Sequence, residues 1–516
     1  MARHATTDFL PSSSFCEFRG QRLSSASVDW SDSNATVDVL KFALAAPVEG
    51  EEGGSYDGPQ FALSVDRYGG DGVSFNGGSG RCASLAGIQI KGVGQTALAS
   101  KRAPRGHSYG GATMKDMVRE AIWSRVVGAI APYGSVRVYA VLRTGSRYVD
   151  QIQGDRTNHA EMIRAIALRD APLRPAHYMR AAYFRVPQGL PNEECRMVNC
   201  VASLPNVLEA VYGTRAVRRA GGMTDISGGL AMFFERAAQQ LAALYCNRIV
   251  HGGLSASNIS LDGRLLDFGM TTSVSDFGPI ITSGPTGHMM EQPTKFLRML
   301  EPMFFYVEKF GPCIQPIPRK QISDHFFSVY ETHKNSGLLR LTGIPRALLD
   351  SVESSTLDSL VRAFESIRLA GQREPFKLLS ACPRYTASMP DRFSSPNIAD
   401  VLAIARLTGN DRHRAITSYS AIHHRRTIEG FLSAYDAVLG FALSGVAPSK
   451  RQSQVSEIEK QSVCLTDTIR ELQYPVLNKA INDVICYGHS MTEYIETVSR
   501  NAISRLALSD AEHDTE

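Results

Sequence analysis

Several things are scarce in this sequence. No uninterrupted apolar stretch in its 516 residues approaches the roughly 20 needed to cross a bilayer. The longest apolar runs, near Val136–Leu142 and Val438–Leu443, read as core strands or helix faces. The first residues, Met-Ala-Arg-His-Ala-Thr-Thr-Asp, lack the charged-then-apolar pattern of a secretory signal. The nine cysteines are odd in number and none makes a C-x-x-C pair, so they read as reduced core thiols of a cytoplasmic protein rather than a disulfide framework or a zinc site. Cys195 and Cys200 are close to each other but have no companion ligands. Charge of one sign is also scarce. A formal net charge of +4 gives no case for nucleic acid or a membrane surface, and the short basic runs read as solvated faces. With 43% hydrophobic and 21% charged residues and no internal repeat, the chain reads as globular, with more than one domain.

The texture changes along the chain. Residues 1–60 mix Ser, Asp and Gly with short apolar runs and read as an N-terminal extension, loose at Ser12–Ser14 and Glu51–Gly58. Phe61-Ala-Leu-Ser-Val reads as a strand, followed by a glycine-dense loop from Gly69 to Arg81 and a period-2 strand, Gly87-Ile-Gln-Ile-Lys91. The spacing of Met114, Met117, Val118, Ala121, Ile122 and Val126 predicts a helix over Met114–Ile130, and Ser135–Leu142 reads as a strand. Beyond Arg143 the pattern turns mostly helical, with a long amphipathic candidate at Ile226–Asn247 and a helical tail best developed at Ser453–Ile503. Between these, Val250-His251-Gly leads to Asn258, the turn pair Asp262-Gly263, and Asp267-Phe-Gly269.

In that order the parts match what phosphoryl chemistry asks of a protein, which is mainly positioning and charge stabilisation. A glycine loop brings backbone N–H groups to phosphates without a Cβ in the way. A strand lysine, Lys91, neutralises phosphate charge, and a helix glutamate, Glu120, holds it. Asn258 and Asp267, on either side of a hairpin, offer oxygens to a divalent metal. Each feature alone is weak: glycine clusters are usually loops, and a second Asp-Phe-Gly at Asp276–Gly278 reads as incidental. His251 reads as a brace for the loop, and His423-His424 carries no ligand set. The ordered set predicts an α+β, protein-kinase-like, two-lobed fold that binds ATP with Mg²⁺ or Mn²⁺.

The same residues resemble the selenoprotein-O (SelO) family of kinase-like protein adenylyltransferases, from about Tyr68 to Pro293. Gly78-Ser79-Gly80-Arg81 looks like that family's Gly-Asp-Gly-Arg, and Lys91-Gly-Val-Gly-Gln-Thr96 looks like its Lys-Gly-x-Gly-x-Thr. Lys115 to Glu120 looks like its Arg-Ser-x-Ile-Arg-Glu helix, and Arg169 to His177 resembles its paired phosphate arginines at a slightly shorter spacing. His251 to Gly269 aligns without a gap to its catalytic stretch, and Glu291-Gln292-Pro293 resembles its Asn-Gln-Pro. The resemblance implies ATP lying reversed relative to ordinary kinases, so that AMP moves to an acceptor hydroxyl. It implies that Lys91, Arg169 and Arg174 bind phosphates, that Glu120 orients Lys91, and that Asn258 and Asp267 hold the metal. Gly78, Gly80 and Arg81 would contact the nucleotide. Gly110 joins them, although Tyr109-Gly110-Gly111 stands where the family has Asp-Gly-Arg.

Two departures bear on mechanism. Gly253 occupies the usual kinase base position, and Ser257 occupies the position of the family's alternative Asp. Lys91, Glu120 and Ser257 form the candidate catalytic set, with no carboxylate base among the last two motifs. Three functions stay open at this point: AMP transfer to a protein or small-molecule hydroxyl, activation of an already deprotonated carboxylate, and an ATP-binding pseudokinase scaffold. The expected organisation is 1–60 extension, 61–145 N-lobe, 146–340 C-lobe and 341–516 helical C-terminal region, with the lobe boundary near Arg143–Tyr148.

Overall fold

The computed structural model describes residues 9–103, 108–148, 162–213, 217–218, 222–274, 279–281, 287–288, 291–369, 376–377, 398–420, 425–466 and 469–507. Strands β1 (Phe15–Leu23), β2 (Ser27–Ser31), β3 (Leu44–Ala45), β4 (Glu51–Gly53), β5 (Tyr56–Asp66), β6 (Cys82–Leu85), β7 (Ile88–Lys91), β8 (Val138–Tyr148) and β9 (Ile163–Asp170) form one sheet. Its order is β2-β8-β9-β7-β6-β5-β1-β3, with β4 also on β8, and every pairing is antiparallel. The β6–β7 hairpin turns on Ala86-Gly87, both at positive φ (47° and 79°), as a two-residue hairpin requires.

Both faces of the sheet are covered, so its central strands are apolar on both sides. On β9, Ala165 and Ala167 face the main core while Ile166 and Leu168 face a second layer with β1 and β3. The helix α1 (Met114–Ile130) lies on the main-core face and spans the residues its periodicity predicted. Thr113 starts it, accepting a hydrogen bond from Asp116 N at 3.2 Å.

The remaining helices are α2 (Glu193–Tyr212), α3 (Ser227–Cys246), α4 (Glu291–Phe310), α5 (Arg319–Arg340), α6 (Arg346–Leu349), α7 (Ser354–Leu369), α8 (Ile398–Arg406), α9 (Gly409–Ser420), α10 (Arg425–Ser444), α11 (Pro448–Thr466), α12 (Tyr474–Cys486) and α13 (Met491–Ala507). Helices α2 to α5 share the main core with α1. Helices α7, α8 and α10 build a separate core with Tyr245, Val250, Val274 and Leu338. The last two, α12 and α13, return to the main core through Leu477, Ile481, Ile495, Val498 and Ala502. No helix among the described residues is long and apolar enough to cross a membrane.

Two sequence expectations are corrected. Residues 9–60 are not a loose extension. They supply β1 to β4 and half of β5, Ser14 is fully buried, and Glu51–Gly53 pairs with Ser146–Tyr148. The expected lobe boundary at Arg143–Tyr148 falls inside β8, and β9 beyond it belongs to the same sheet, so the strand-rich half runs to Asp170. The tail stretch Ser453–Ile503 is helical as its pattern indicates, and divides into three helices because Pro475 opens α12 in its first turn and Gly488, at φ 68°, follows its end. The second Asp-Phe-Gly and His423-His424 lie outside the described residues.

Candidate functional site

Lys91 ends β7, where its side chain lies on the same strand face as Gln89 two residues earlier. It is buried, yet its Nζ has two carboxylate partners. Glu120, from the second turn of α1, pairs with it through Oε2, and Asp267 Oδ1 lies 2.5 Å away. The other oxygen of Glu120 pairs with Arg169 Nη1, so each oxygen of this buried carboxylate holds one cation. Arg169, on β9 beside β7, also donates to Gln89 Oε1 from Nε at 3.0 Å and Nη2 at 2.8 Å. Gln89 in turn donates to Asp66 Oδ2 at 3.0 Å and accepts from Arg174 Nη2 at 3.3 Å. Arg174 closes the network by donating to the Tyr68 hydroxyl at 2.8 Å, its guanidinium carbon 4.8 Å from the Tyr68 ring centre.

The hairpin read at Asp262-Gly263 is present. Gly263 N donates to Ser260 O at 2.9 Å, and Leu266 N donates to Asn258 O at 3.1 Å, which sets Asn258 beside the Leu266–Asp267 segment. Leu265 is bound to the start of the β8 approach, where Val136 N donates to Leu265 O at 2.8 Å. Asp267 has φ 65°, a left-handed conformation uncommon for a residue with a Cβ and one that often marks a working site. His251 is buried beneath the hairpin, its Nε2 3.0 Å from Leu266 O, and burial holds its pKa down to about 4, so it is a neutral brace as its motif position suggested.

Burial alone would raise the Asp267 carboxyl, but Lys91, Arg169 and Arg81 outweigh it and hold the group well below the ordinary range. Its side chain is 34% exposed, and Oδ2 takes no hydrogen bond from the described residues. An ionised carboxylate with an open oxygen suits a divalent cation that takes one or two protein oxygens and fills its shell with phosphate and water. The Asn258 amide donates from Nδ2 to Gly253 O at 2.5 Å, leaving Oδ1 with only a long 3.4 Å contact from Ser257 Oγ. Asn258 Oδ1 and Asp267 Oδ2 are thus side-chain oxygens that could ligate a divalent cation.

The glycine-rich segment between β5 and β6 lies on the loop that carries Ser257. A Cβ on Gly72 would sit 2.5 Å from the hydroxyl oxygens of both Ser255 and Ser257, so only glycine allows this approach. Those two hydroxyls are 2.8 Å apart and buried. Asp71, next to Gly72, is exposed. At the far end of the segment, Gly80 O accepts from Thr96 N at 3.2 Å, and Arg81 reaches Gly111 O through Nη1 at 3.4 Å. Burial lowers the Arg81 pKa, but Tyr109, Asp267 and Asp116 outweigh it and raise it.

Lys91, Glu120, Asp267 and Arg169 thus form one continuous chain of charges, Arg81 feels Asp267, and Arg174 joins through Gln89. Arg169 and Arg174 are both buried and already bonded to protein groups, so they stand behind the Lys91–Glu120 pair in this state. Gly78 and Gly110 serve the backbone: a Cβ on Gly78 would be 2.2 Å from Asp66 O, and one on Gly110 2.0 Å from Gln95 N. The sequence reading missed Gln89, Asp66, Tyr68 and Ser255. Gln89 left a signal, a polar side chain inside the apolar strand Ile88-Gln-Ile, on the lysine's own face. A scan against protein-family models finds no match for this chain, and a comparison with curated proteins finds no relative.

Proposed function

We propose that this chain is an ATP- and metal-dependent nucleotidyltransferase with a kinase-like, SelO-like core, transferring AMP to a protein hydroxyl or small acceptor. The observation that carries this reading is Lys91 Nζ held between Glu120 and Asp267, with its partner glutamate on the next helix and the aspartate after a hairpin. Counted from the strand before the glycine-rich segment, Lys91 ends the third strand, where protein kinases keep their lysine. The strand order β5-β6-β7-β9-β8, with α1 between β7 and β8, supports the same reading.

The roles on this reading are as follows. Lys91 and Arg81 lie where they can neutralise phosphate oxygens, Glu120 fixes Lys91 against drift, and Asn258 and Asp267 hold the metal. A Mg²⁺ or Mn²⁺ held by Asn258 and Asp267 would offset the negative charge that develops on the phosphates. In the transfer, an acceptor oxygen forms a bond to the α-phosphorus, the bond to the β-phosphate oxygen breaks, and pyrophosphate leaves. The acceptor proton must go to a base, and here neither Gly253 nor Ser257 can take it. Asp71 is exposed beside Gly72, whose backbone approaches Ser255 and Ser257, and we assign it the base role for a hydroxyl acceptor.

The hydroxyl pair at Ser255 and Ser257 favours a second reading, in which the acceptor is a carboxylate that needs no base and becomes an acyl-adenylate. Incubating the protein with metal and ATP labelled at the α- or γ-phosphate tests the proposal. Transfer of α-label alone supports it, γ-label alone means phosphoryl transfer, and binding without label means a scaffold. Hydroxamate formation with hydroxylamine and an acid identifies the carboxylate acceptor.

A further inference from the structure

Helix α1, which carries Glu120, is buried nearly all round, although only one of its sides meets the sheet. A helix of that kind needs a second layer, and the chain supplies it from its far end. Met117, Val118, Ala121 and Ile122 of α1 share a core with Leu477, Ile481, Ile495 and Val498 of α12 and α13. Polar contacts fix the register. Arg119, adjacent to Glu120, pairs through Nη1 with Asn478 Oδ1, and its guanidinium carbon is 4.6 Å from the Tyr474 ring centre. One turn and a half further on, Glu496 accepts from Arg125 Nη2 at 2.8 Å and from Trp30 Nε1 at 3.1 Å.

The same tail also grips the other side of the site. Ser273 Oγ donates to Ile469 O at 2.7 Å, and Tyr474 N donates to Thr272 Oγ1 at 2.8 Å, a few residues after Asp267. Tyr474 therefore holds the strand following Asp267 with its backbone and Arg119 of the Glu120 helix with its ring. The two carboxylates that meet on Lys91 come from elements that the segment 469–507 ties together.

We infer that this C-terminal segment is a positioning element for the Lys91–Glu120–Asp267 set, with Tyr474 and Asn478 as its positioning residues. The inference rests on the nucleotidyltransferase reading for its effect on rate, but its structural consequence can be measured without any activity. Displacing the segment loosens both α1 and the stretch after Asp267, and Lys91 loses its fixed place between Glu120 and Asp267.

The test uses the full chain. The double variant Asn478→Ala with Tyr474→Leu removes the acceptor and the aromatic face while keeping apolar bulk. It is compared with Asn478→Asp, which keeps an acceptor oxygen, with Tyr474→Phe, which keeps the ring, and with Glu493→Ala on the exposed side of α13. Amide hydrogen exchange over 114–130 and 267–274 and the rate of α-label transfer at saturating ATP are both followed. Exchange in those two stretches and the transfer rate should change by roughly tenfold in the double variant, with little change in KM, and the other three should stay near wild type. If the double variant does not fold, Glu496→Gln at the second contact must show the same exchange signature. Wild-type exchange and rate in a folded double variant overturn the inference, as does equal loss in Tyr474→Phe. Absence of label from every chain, with the exchange change present, refutes the activity reading and leaves the positioning role standing.

Discussion

Replacing Glu120 by glutamine probes the centre of the site with the least change of shape. Glu120 is 2% exposed and divides its oxygens between Lys91 and Arg169. Glutamine offers one carbonyl oxygen and turns its NH₂ group toward the other cation. Breaking one side of a buried charge pair costs about 3–5 kcal/mol. The low end, about 3 kcal/mol, applies here because Lys91 keeps Asp267 and Arg169 keeps Gln89. With a urea dependence of about 3 kcal/mol per molar or more, the unfolding midpoint should fall by up to about 1 M. Lys91 would then turn wholly to Asp267, neutralising the metal ligand instead of a phosphate, and kcat/KM for ATP should fall about 10²-fold. Asp267→Asn gives the contrast. Its side chain is 34% exposed and Lys91 keeps Glu120, so losing its charge should cost less stability than Glu120→Gln, while the transfer rate falls at least as far. Urea melts and label-transfer kinetics on the two variants decide it. An Asp267→Asn variant less stable than Glu120→Gln, or a Glu120→Gln variant with wild-type stability and rate, would refute the division of roles.

Asp66 should make stability fall with rising pH. Burial outweighs Arg174 and Arg169 and pushes its carboxyl up to about 6, so its contribution is fully present below the unfolded value of about 4 and is lost as pH rises through 6. Asp66→Asn should therefore gain stability relative to the parent, by up to about 3 kcal/mol, between pH 4.5 and 7.5 in paired urea melts; an unchanged difference would sink this reading. Asp71→Asn should slow transfer to a hydroxyl acceptor about 10²-fold and leave a carboxylate acceptor unaffected, read by label transfer beside hydroxamate yield. Saturating Mg²⁺ with a non-hydrolysable ATP analogue should raise the melting temperature of the parent and not of Asp267→Asn.

The elements whose signal is local were legible in the sequence. Met114–Ile130 and the α3 region showed helical spacing, and Asp262-Gly263 carried its own turn chemistry. The ordered set Lys91, Glu120 and Asp267 was also legible, and the structure brings these three side chains together. What escaped was set by distant partners. β9, Ile163-Arg-Ala-Ile-Ala-Leu-Arg-Asp, has no alternation because both its faces are covered, so its period is invisible. The strands before residue 60, apart from the nine-residue β1, are short, and they gain their order from β5 and β8. The phosphate role of Arg169 and Arg174 came from the family resemblance; their engagement with Glu120, Gln89 and Tyr68 depends on strand neighbours that spacing does not encode.

The long pairing of β1 with β5, from Phe15↔Asp66 to Leu23↔Tyr56, limits how the protein can be trimmed. A chain started at residue 61 would bare the backbone donors and acceptors of β5 along an open sheet border, a template for joining other chains. Such a fragment should precipitate or self-associate even with every residue of the charged site intact.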